Sequence, residues 1–225
     1  MAPGRTYADA CGMAHALDLI GERWALLIVR ELVIGPKRYS DLLADLPGIS
    51  TNVLAARLEG LEQTGVLQRR RLPPPAASSV YELTTWGGAL EPIICSIGRW
   101  GAASPSHDRT AHLSVASFVL SLRTNFDKAS ASAVRTTVEL RPSDDDVFTA
   151  EIRGQRLRVE RSHADSPDAI LTGTPPVLAG IVYGGLTLSA AIAAGQATLS
   201  GRAATIEAFR RCFVLPATAA GRHPD

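Results

Sequence analysis

The sequence has few cysteines, few histidines and no long apolar run. Its three cysteines, Cys11, Cys95 and Cys212, are widely spaced and odd in number, which argues against a disulfide framework and against a zinc cluster. The five histidines show no metal-ligand spacing, so we expect neither a metal nor a cofactor. No apolar run reaches the roughly 18 residues that a spanning helix needs, and no apolar signal region opens the chain. We therefore expect a cytoplasmic protein with no membrane partner.

The sequence also lacks a catalytic motif and an excess of one charge. It contains no Gly-rich phosphate loop, no G-x-S-x-G elbow and no Cys-X-X-Cys pair, so an enzyme is not expected. The net charge is +1, which neither demands nor excludes nucleic acid. The informative feature is clustering, because the only tight basic groups in the first half are Lys37-Arg38 and Arg69-Arg70-Arg71.

Residues 37 to 83 contain a helix, a tight turn, a helix and a basic hairpin in that order. Ser40 is predicted to cap a short helix, Pro47-Gly48 breaks the chain, and a second helix runs from Ser50 to Thr64. Two strands, 66–72 and 80–83, flank a tip with three consecutive prolines, which cannot donate to a strand ladder. This order predicts a winged helix-turn-helix that fits a helix into a DNA groove.

The flanking segments complete a first domain. Helices are predicted from Cys11 to Gly21 and from Glu22 to Leu32. A longer helix from Thr84 carries an apolar stripe that is typical of a dimer interface, formed by Trp86, Leu90, Ile93, Ile94, Ile97 and Trp100. We expect residues 1–104 to form this domain and residues 105–112, which are small and polar, to form a linker.

Residues 113–225 are predicted to form a second domain. A helix from about Leu113 to Asn125 precedes alternating strands and further helices, so the fold class is α+β, with mostly antiparallel strands in this domain. The predicted turns are Asp144-Asp145-Asp146 and Gly154. The apolar helices between Leu178 and Ala194 are compatible with a ligand cavity and equally with a solid core.

The second helix of the motif and the hairpin supply the expected DNA contacts. A 100° step per residue places Leu54, Leu58 and Leu61 on the inner face of the helix. We expect the N-terminus of the helix to bind phosphates, Asn52 to pair with adenine, and the two alanines of the outer face to contact thymine methyl groups. We expect the hairpin to follow the phosphate backbone or to enter the minor groove. The alternatives are an ordinary surface helix and a solvated strand edge. The expected DNA-binding residues are Arg38, Ser50, Thr51, Asn52, Ala55, Ala56, Arg57, Arg69, Arg70, Arg71, Ser78 and Ser79.

Cys11 has two interpretations. It is either a small buried residue or, at a helix N-terminus, a thiol whose thiolate is favoured by the helix dipole. Cys95 and Cys212 stand among apolar neighbours on predicted helices, so we expect them in the core.

The first half resembles the HxlR-type winged helix-turn-helix regulators, relatives of the MarR group, over roughly residues 8 to 104. The segments that carry the resemblance are Cys11, Ala16 to Trp24, Leu26 to Leu32, Arg38 to Leu42, Gly48 to Ser50, Leu54 to Leu58, Leu61 to Leu67 and Tyr81 to Thr84. The resemblance implies a regulator of transcription in which a cysteine at the position of Cys11 senses electrophiles or oxidants.

The second half resembles a sterol-carrier-protein-like (type two) lipid-transfer domain. The resemblance rests on Ser166 to Pro175, Ala190 to Gly195, Leu199 to Gly201 and Ile206. It implies a hydrophobic cavity under a five-stranded sheet and therefore an apolar or amphipathic effector.

These observations together predict a homodimeric transcriptional repressor that reads an inverted repeat in double-stranded DNA. Two equivalent helices would lie one helical turn apart, roughly 34 Å. DNA binding would be controlled by a hydrophobic effector bound in the second domain or by oxidation or alkylation of Cys11. The alternative from another class is a lipid or small-molecule carrier whose winged helix serves protein contacts.

Overall fold

A computed structural model describes residues 6–73 and 78–219. The chain divides into two compact units, Met1–Ile94 and Cys95–Asp225. The predicted domain limits at 104 and 113 and the linker 105–112 stay predictions. Residues 74–77 of the predicted Pro-rich tip lie outside the described residues.

The first unit contains five helices, the start of a sixth and a two-stranded sheet within its described residues. The helices are α1 (Gly12–Ile20), α2 (Ala25–Leu32), α3 (Tyr39–Asp45), α4 (Thr51–Gln63), α5 (Thr85–Gly88) and α6 (Glu91–Ala102), and α6 crosses into the second unit. Strands β1 (Leu67–Arg71) and β2 (Ser79–Leu83) pair antiparallel, with Leu67 opposite Leu83 and Arg71 opposite Ser79.

The core of the first unit lies between α2, α3, α4 and the base of the hairpin. Ile28 of α2, Leu42 of α3 and Leu54 of α4 are fully buried, and the apolar spacing that predicted each helix points these side chains inward. Gly65 has φ +74 directly after α4, so the chain turns sharply there into the hairpin. The order of helix, turn, helix and hairpin predicted from the sequence is confirmed.

Three details of the first unit differ from the prediction. The second helix begins at Ala25 rather than Glu22, because Trp24 has a left-handed φ of 80. Arg38, not Ser40, is the N-cap of α3, and its backbone N–H donates to the Asp41 carboxylate at 3.1 Å. The helix predicted from Thr84 is divided into α5 and α6. At Gly87, within α5, a Cβ would come within 1.9 Å of the Val66 carbonyl oxygen, so the chain packs too closely there for any larger residue.

The second unit packs helices against one face of a five-stranded sheet. Its remaining elements are α7 (Val115–Asn125), β3 (Arg135–Arg141), β4 (Phe148–Arg153), β5 (Arg156–Glu160), β6 (Ala169–Gly173), α8 (Pro175–Tyr183), α9 (Leu188–Ala193), β7 (Ala197–Gly201) and α10 (Ala203–Arg210). The strand order is β5-β4-β3-β6-β7, and β3 and β6 form the parallel pair among otherwise antiparallel neighbours. The α+β class and the mostly antiparallel sheet are confirmed.

The core of the second unit lies between the sheet and its helices. Phe118 of α7, Phe148 of β4 and Phe209 of α10 are at most 1% exposed. Val138 and Leu140 of β3 alternate toward the helices, as the period-2 pattern predicts, whereas Glu139 between them is buried on the other face and accepts from the Ala164 N–H at 3.0 Å. The helices therefore cover one face of the sheet, and the polar positions occupy the other.

Candidate nucleic-acid interface

Helix α4 presents a small polar and apolar face to solvent. Thr51, Asn52, Ala55 and Ala56 are exposed, whereas the leucines at the predicted inner positions are buried. Ser50 caps the helix, because its hydroxyl accepts from the Val53 N–H at 3.3 Å. Free N–H groups and hydroxyls at this N-terminus can bind a phosphate, and the alanines allow close approach to base edges.

A tyrosine outside the predicted set fixes the N-terminus of α4. The Tyr39 hydroxyl of α3 donates to the Thr51 carbonyl oxygen at 2.7 Å. This bond joins the first turns of the two helices of the motif. Sequence alone gives no signal for it, because the two residues are brought together only by the turn at Pro47-Gly48.

Arg57, expected to contact the DNA backbone, is engaged within the protein. Its guanidinium donates to the Glu22 carboxylate at 2.7 Å and to the Arg23 carbonyl oxygen at 3.1 Å. These bonds tie the middle of α4 to the segment that precedes α2. That segment includes Trp24, whose left-handed backbone is uncommon for a bulky residue. A DNA contact by Arg57 stays a prediction, and the structure gives this side chain another role.

The three hairpin arginines have different surroundings. Arg69 lies over the Tyr81 ring, with 5.9 Å from Cζ to the ring centroid. Arg70 pairs with Glu82 at 2.9 Å, and the hydrogen bonds from Arg70 and then Gln68 hold the pKa of the Glu82 carboxyl below its ordinary value. Arg71 is exposed and has no ion pair among the described residues. The free positive charge of β1 is therefore concentrated on Arg69 and Arg71.

The two serines at the far end of the hairpin are half-buried. Ser79 lies opposite Arg71 in the sheet register. The Ser78 carbonyl oxygen accepts from the Leu72 N–H at 2.8 Å, and its hydroxyl is buried with no hydrogen-bond partner within residues 6–73 and 78–219. Their expected role as phosphate donors stays a prediction.

Lys37 belongs to a buried charge network and not to the surface basic cluster that the sequence indicates. Its ammonium donates to the Glu31 carboxylate at 2.7 Å and also pairs with Asp45. Its backbone exchanges two hydrogen bonds with Tyr81 of β2, at 2.8 and 3.0 Å. Lys37 therefore joins α2, α3 and the hairpin, whereas its neighbour Arg38 is exposed and available.

Cys11 is exposed immediately before α1, which excludes the buried interpretation. The backbone N–H groups of Ala14 and then Met13, in the first helical turn, favour the thiolate and hold the pKa of the thiol below its ordinary value. Cys212 is buried, and burial followed by the charge of Asp127 raises the pKa of its thiol. Cys95 is only half-buried, so it is less enclosed than expected.

The predicted dimer residues fall into a packed set and an exposed set. Leu90 and Ile94 pack against the core of the first unit. The exposed set is Trp86, Ile93, Ile97 and Trp100, with Trp100 81% exposed. Trp86, Leu90 and Ile93 also line an apolar groove of about 210 Å³ with Ala16, Leu19 and Ile20 of α1, a contribution that the sequence did not indicate.

The second unit contains a buried polar cluster between α7 and α8. The Tyr183 hydroxyl donates to Ser121 Oγ at 2.8 Å, and burial raises the pKa of Tyr183. Asn125 Nδ2 donates to the Ser121 carbonyl oxygen at 3.0 Å. Asn125 Oδ1 is buried and has no hydrogen-bond partner in the described part of the chain. The surrounding core is packed with large side chains, so the hydrophobic cavity stays a prediction.

In residues 6–73 and 78–219, no three His, Cys, Asp or Glu side chains are grouped so as to hold a metal ion. None of the helices described there combines the length and the apolar character that crossing a membrane requires.

The geometry of α3, α4 and the β1–β2 hairpin defines a winged helix-turn-helix protein. Residues 19–109 match the family model described as HxlR-like helix-turn-helix. The chain is 41% identical over 85 residues to the uncharacterized HTH-type transcriptional regulator YvaP of Bacillus subtilis, covering 38% of this chain and 79% of that protein. It is 38% identical over 88 residues to the HTH-type transcriptional regulator YodB of the same organism, covering 39% and 79%. The chain belongs to the HxlR-like helix-turn-helix family and is a DNA-binding transcriptional regulator.

A solved structure resembles the first half of the chain, and a second family model matches the other half. The reduced form of YodB from B. subtilis is a solved structure with 33% identity, covering 44% of this chain and 100% of that chain, at a TM-score of 0.39. Residues 103–219 match the alkyl sulfatase C-terminal family model, and this part of the chain belongs to that family. The matching family therefore differs in name from the sterol-carrier-like one that the sequence resembles, and the sterol-carrier resemblance stays a prediction.

Proposed function

We propose that this regulator is a homodimeric repressor that acts in the cytoplasm on an inverted-repeat operator. The observation that carries the proposal is the exposed, capped N-terminus of α4, which continues through Gly65 into a hairpin with exposed arginines. In each protomer α4 enters the major groove, and the hairpin follows the phosphate backbone. Two such helices, roughly 34 Å apart, read the two half-sites.

The contacts divide into base readers and phosphate anchors. Asn52 pairs with adenine, and Ala55 and Ala56 contact thymine methyl groups. Arg38, Arg69 and Arg71 supply backbone contacts, together with the hydroxyls of Ser50 and Thr51. Arg70 contributes less than its neighbours, because Glu82 already neutralises it.

A gel shift tests operator binding directly. The probe is the DNA upstream of the protein's own gene, and binding is measured at two salt concentrations. We expect the protein to shift that fragment at a lower concentration than a scrambled fragment, and we expect its affinity to fall steeply as the salt concentration rises. Asn52→Ala should reduce the preference for the operator, whereas Arg71→Ala should weaken both fragments about equally. Equal binding of both fragments by the wild type would exclude a sequence-specific repressor.

Cys11 is proposed as a redox or electrophile sensor whose modification alters the dimer and releases DNA. Its exposure and lowered pKa support the proposal, because the thiolate is the reactive form. Alkylation of Cys11 should therefore reach its half-maximal rate at a pH below about 8.5, the ordinary thiol pKa. The control is Cys11→Ser, which should keep DNA under a mild thiol oxidant. Release of DNA from Cys11→Ser at the wild-type oxidant dose would exclude this role.

An apolar or amphipathic effector in the second unit is a further part of the proposal. It is supported by Asn125 Oδ1, since a buried unpaired acceptor costs about 1–3 kcal/mol and a ligand hydroxyl would satisfy it. Mass spectrometry of an organic extract of the purified protein tests this. Asn125→Leu is the matched variant, and an identical extract from both forms would exclude Asn125 as the ligand contact.

A further inference from the structure

One end of the second sheet carries three arginines side by side. In the sheet register Arg135 lies opposite Arg153, and Arg153 lies opposite Arg156. Side chains directly opposite one another stand on the same face, and neighbouring strands are about 4.8 Å apart. Arg135, Arg153 and Arg156 therefore form one row across β3, β4 and β5, which we call the arginine row.

The arginine row stands on the face that the helices leave open. Thr136, Val138 and Leu140 of β3 are buried on the helix side, so the alternation along the strand directs Arg135 to the other side. All three arginines of the row are exposed. The row is therefore accessible within the second unit.

The carboxylates of this face neutralise only the middle member of the row, Arg153. Each outward glutamate already has an arginine partner, and the pairs are Glu139 with Arg141, Glu151 with Arg153 and Glu160 with Arg158. Arg135 and Arg156, on either side of Arg153, have no ion pair among the described residues. The excess positive charge of the face is thus concentrated at one end.

An extended anion fits this arrangement better than a small one. Like charges directly opposite one another destabilise a sheet, and a bound anion removes that cost. The row spans about 10 Å from β3 to β5 and is flat, so a single small anion would reach only part of it. A DNA strand presents one phosphate charge about every 3.4 Å along the helix axis, which matches a charged row of this length.

We propose that the arginine row is a second DNA-contacting surface that binds the phosphate backbone beside the half-site read by α4. This proposal rests on the proposed operator binding and adds a sequence-independent contact from the second unit. The chain runs from the first unit into the second within α6, so both surfaces belong to one protomer and can contact the same DNA.

The test compares two triple variants of the full-length protein. The row variant is R135Q/R153Q/R156Q. The control is R202Q/R210Q/R211Q, which removes the same charge from α10 and the two residues that flank it. Fluorescence anisotropy with an operator duplex, from 50 to 300 mM salt, gives the slope of log affinity against log salt. Thermal melting by circular dichroism confirms folding, and the row variant should melt no lower than wild type because repulsion is relieved.

The row variant is expected to lose about 1.8 units of salt slope per protomer, about 0.9 for each of the unpaired arginines Arg135 and Arg156. The operator-to-scrambled ratio should stay unchanged, and the control should keep the wild-type slope. Equal loss of slope in both variants would overturn the proposal, because a general charge effect would explain it. An unchanged slope in the row variant would overturn it while leaving operator binding intact. Absence of DNA binding by the wild type would overturn both proposals.

An anionic membrane surface is the competing partner. Vesicles with and without phosphatidylserine provide that arm of the experiment. Loss of vesicle binding by the row variant, with its DNA salt slope unchanged, would overturn the DNA assignment in favour of a lipid surface.

Discussion

Replacing Trp86 by alanine tests the proposed dimer interface at its largest exposed groove residue. Trp86 is 57% exposed in the single chain and lines the apolar groove between α1 and the α5–α6 region. A partly exposed tryptophan beside an apolar groove is the kind of residue that dominates protein–protein interfaces. In a symmetric dimer each copy would supply one Trp86, so the substitution acts twice.

The structure gives the size of the expected effect. A tryptophan buries up to about 250 Å², and the 57% that is exposed leaves about 140 Å² for a partner to cover. At about 25 cal/mol per Å², this area is worth about 3.5 kcal/mol per copy. Ordering and imperfect packing reduce the net value, and about 2 kcal/mol per copy lies at the threshold of an interface hot spot. Because both copies carry the substitution, the free energy of dimerisation falls by about 4 kcal/mol, which raises the dimer dissociation constant roughly 1,000-fold.

Sedimentation equilibrium across protein concentrations measures this change. Ile192→Ala is the control, since Ile192 is an exposed apolar residue of α9 in the second unit. It should leave the dimer dissociation constant unchanged. Circular dichroism establishes that Trp86→Ala is folded. A folded Trp86→Ala protein whose dimer constant lies within threefold of wild type would refute the groove as the interface.

Three other substitutions test separate ion pairs of the first unit. Glu82→Gln should release Arg70, tightening DNA binding and increasing the salt slope by about 0.9 per protomer, and an unchanged slope would show that Arg70 faces away from DNA. Because hydrogen bonds lower the pKa of Glu82, the wild-type pair is intact at neutral pH and breaks only as the pH falls below about 4.3. Lys37→Met should cost about 1–3 kcal/mol in urea unfolding, because Glu31 and Asp45 each lose a hydrogen bond while Arg30 still pairs with Glu31, whereas Arg38→Met should cost little; equal costs would contradict the buried network. Arg57→Gln should lower stability by about 1 kcal/mol and leave the salt slope unchanged, so a reduced slope would restore Arg57 as a DNA contact.

The helices and strands could be predicted because the spacing of apolar residues determines which side of each element is buried. Leu54, Leu58 and Leu61 identify α4, and the alternation of Val138 and Leu140 identifies β3. The predicted limits of two helices were wrong where a local backbone feature overrides the apolar spacing. Trp24 adopts a left-handed backbone conformation, so α2 begins at Ala25, and a close approach of Gly87 to Val66 accompanies the division of the helix predicted from Thr84 into α5 and α6.

The state of individual arginines could not be predicted, because their partners are distant in sequence. Glu22 lies 35 residues before Arg57, and only the packing of α4 against the preceding loop brings the two together. Glu82 lies near Arg70 because the hairpin register places it diagonally across the ladder, and that register depends on the length of the turn. The elements are therefore predictable from apolar spacing, whereas fewer arginines are free than the sequence alone indicates, because Arg57 and Arg70 are paired.

Clustering along the sequence and clustering in space lead to opposite assignments for two groups of basic residues. Lys37-Arg38 is a cluster in sequence, yet Lys37 is buried between Glu31 and Asp45 and holds the hairpin to α2. The arginine row is dispersed over more than 20 residues, and only the pairing of β3, β4 and β5 joins its members. Arg135 and Arg156 of the row are exposed and lie on either side of the paired Arg153, so the second unit carries two exposed arginines outside ion pairs among the described residues, as the hairpin does in Arg69 and Arg71. A near-zero net charge therefore conceals two separate basic surfaces, each bounded by its own ion pairs.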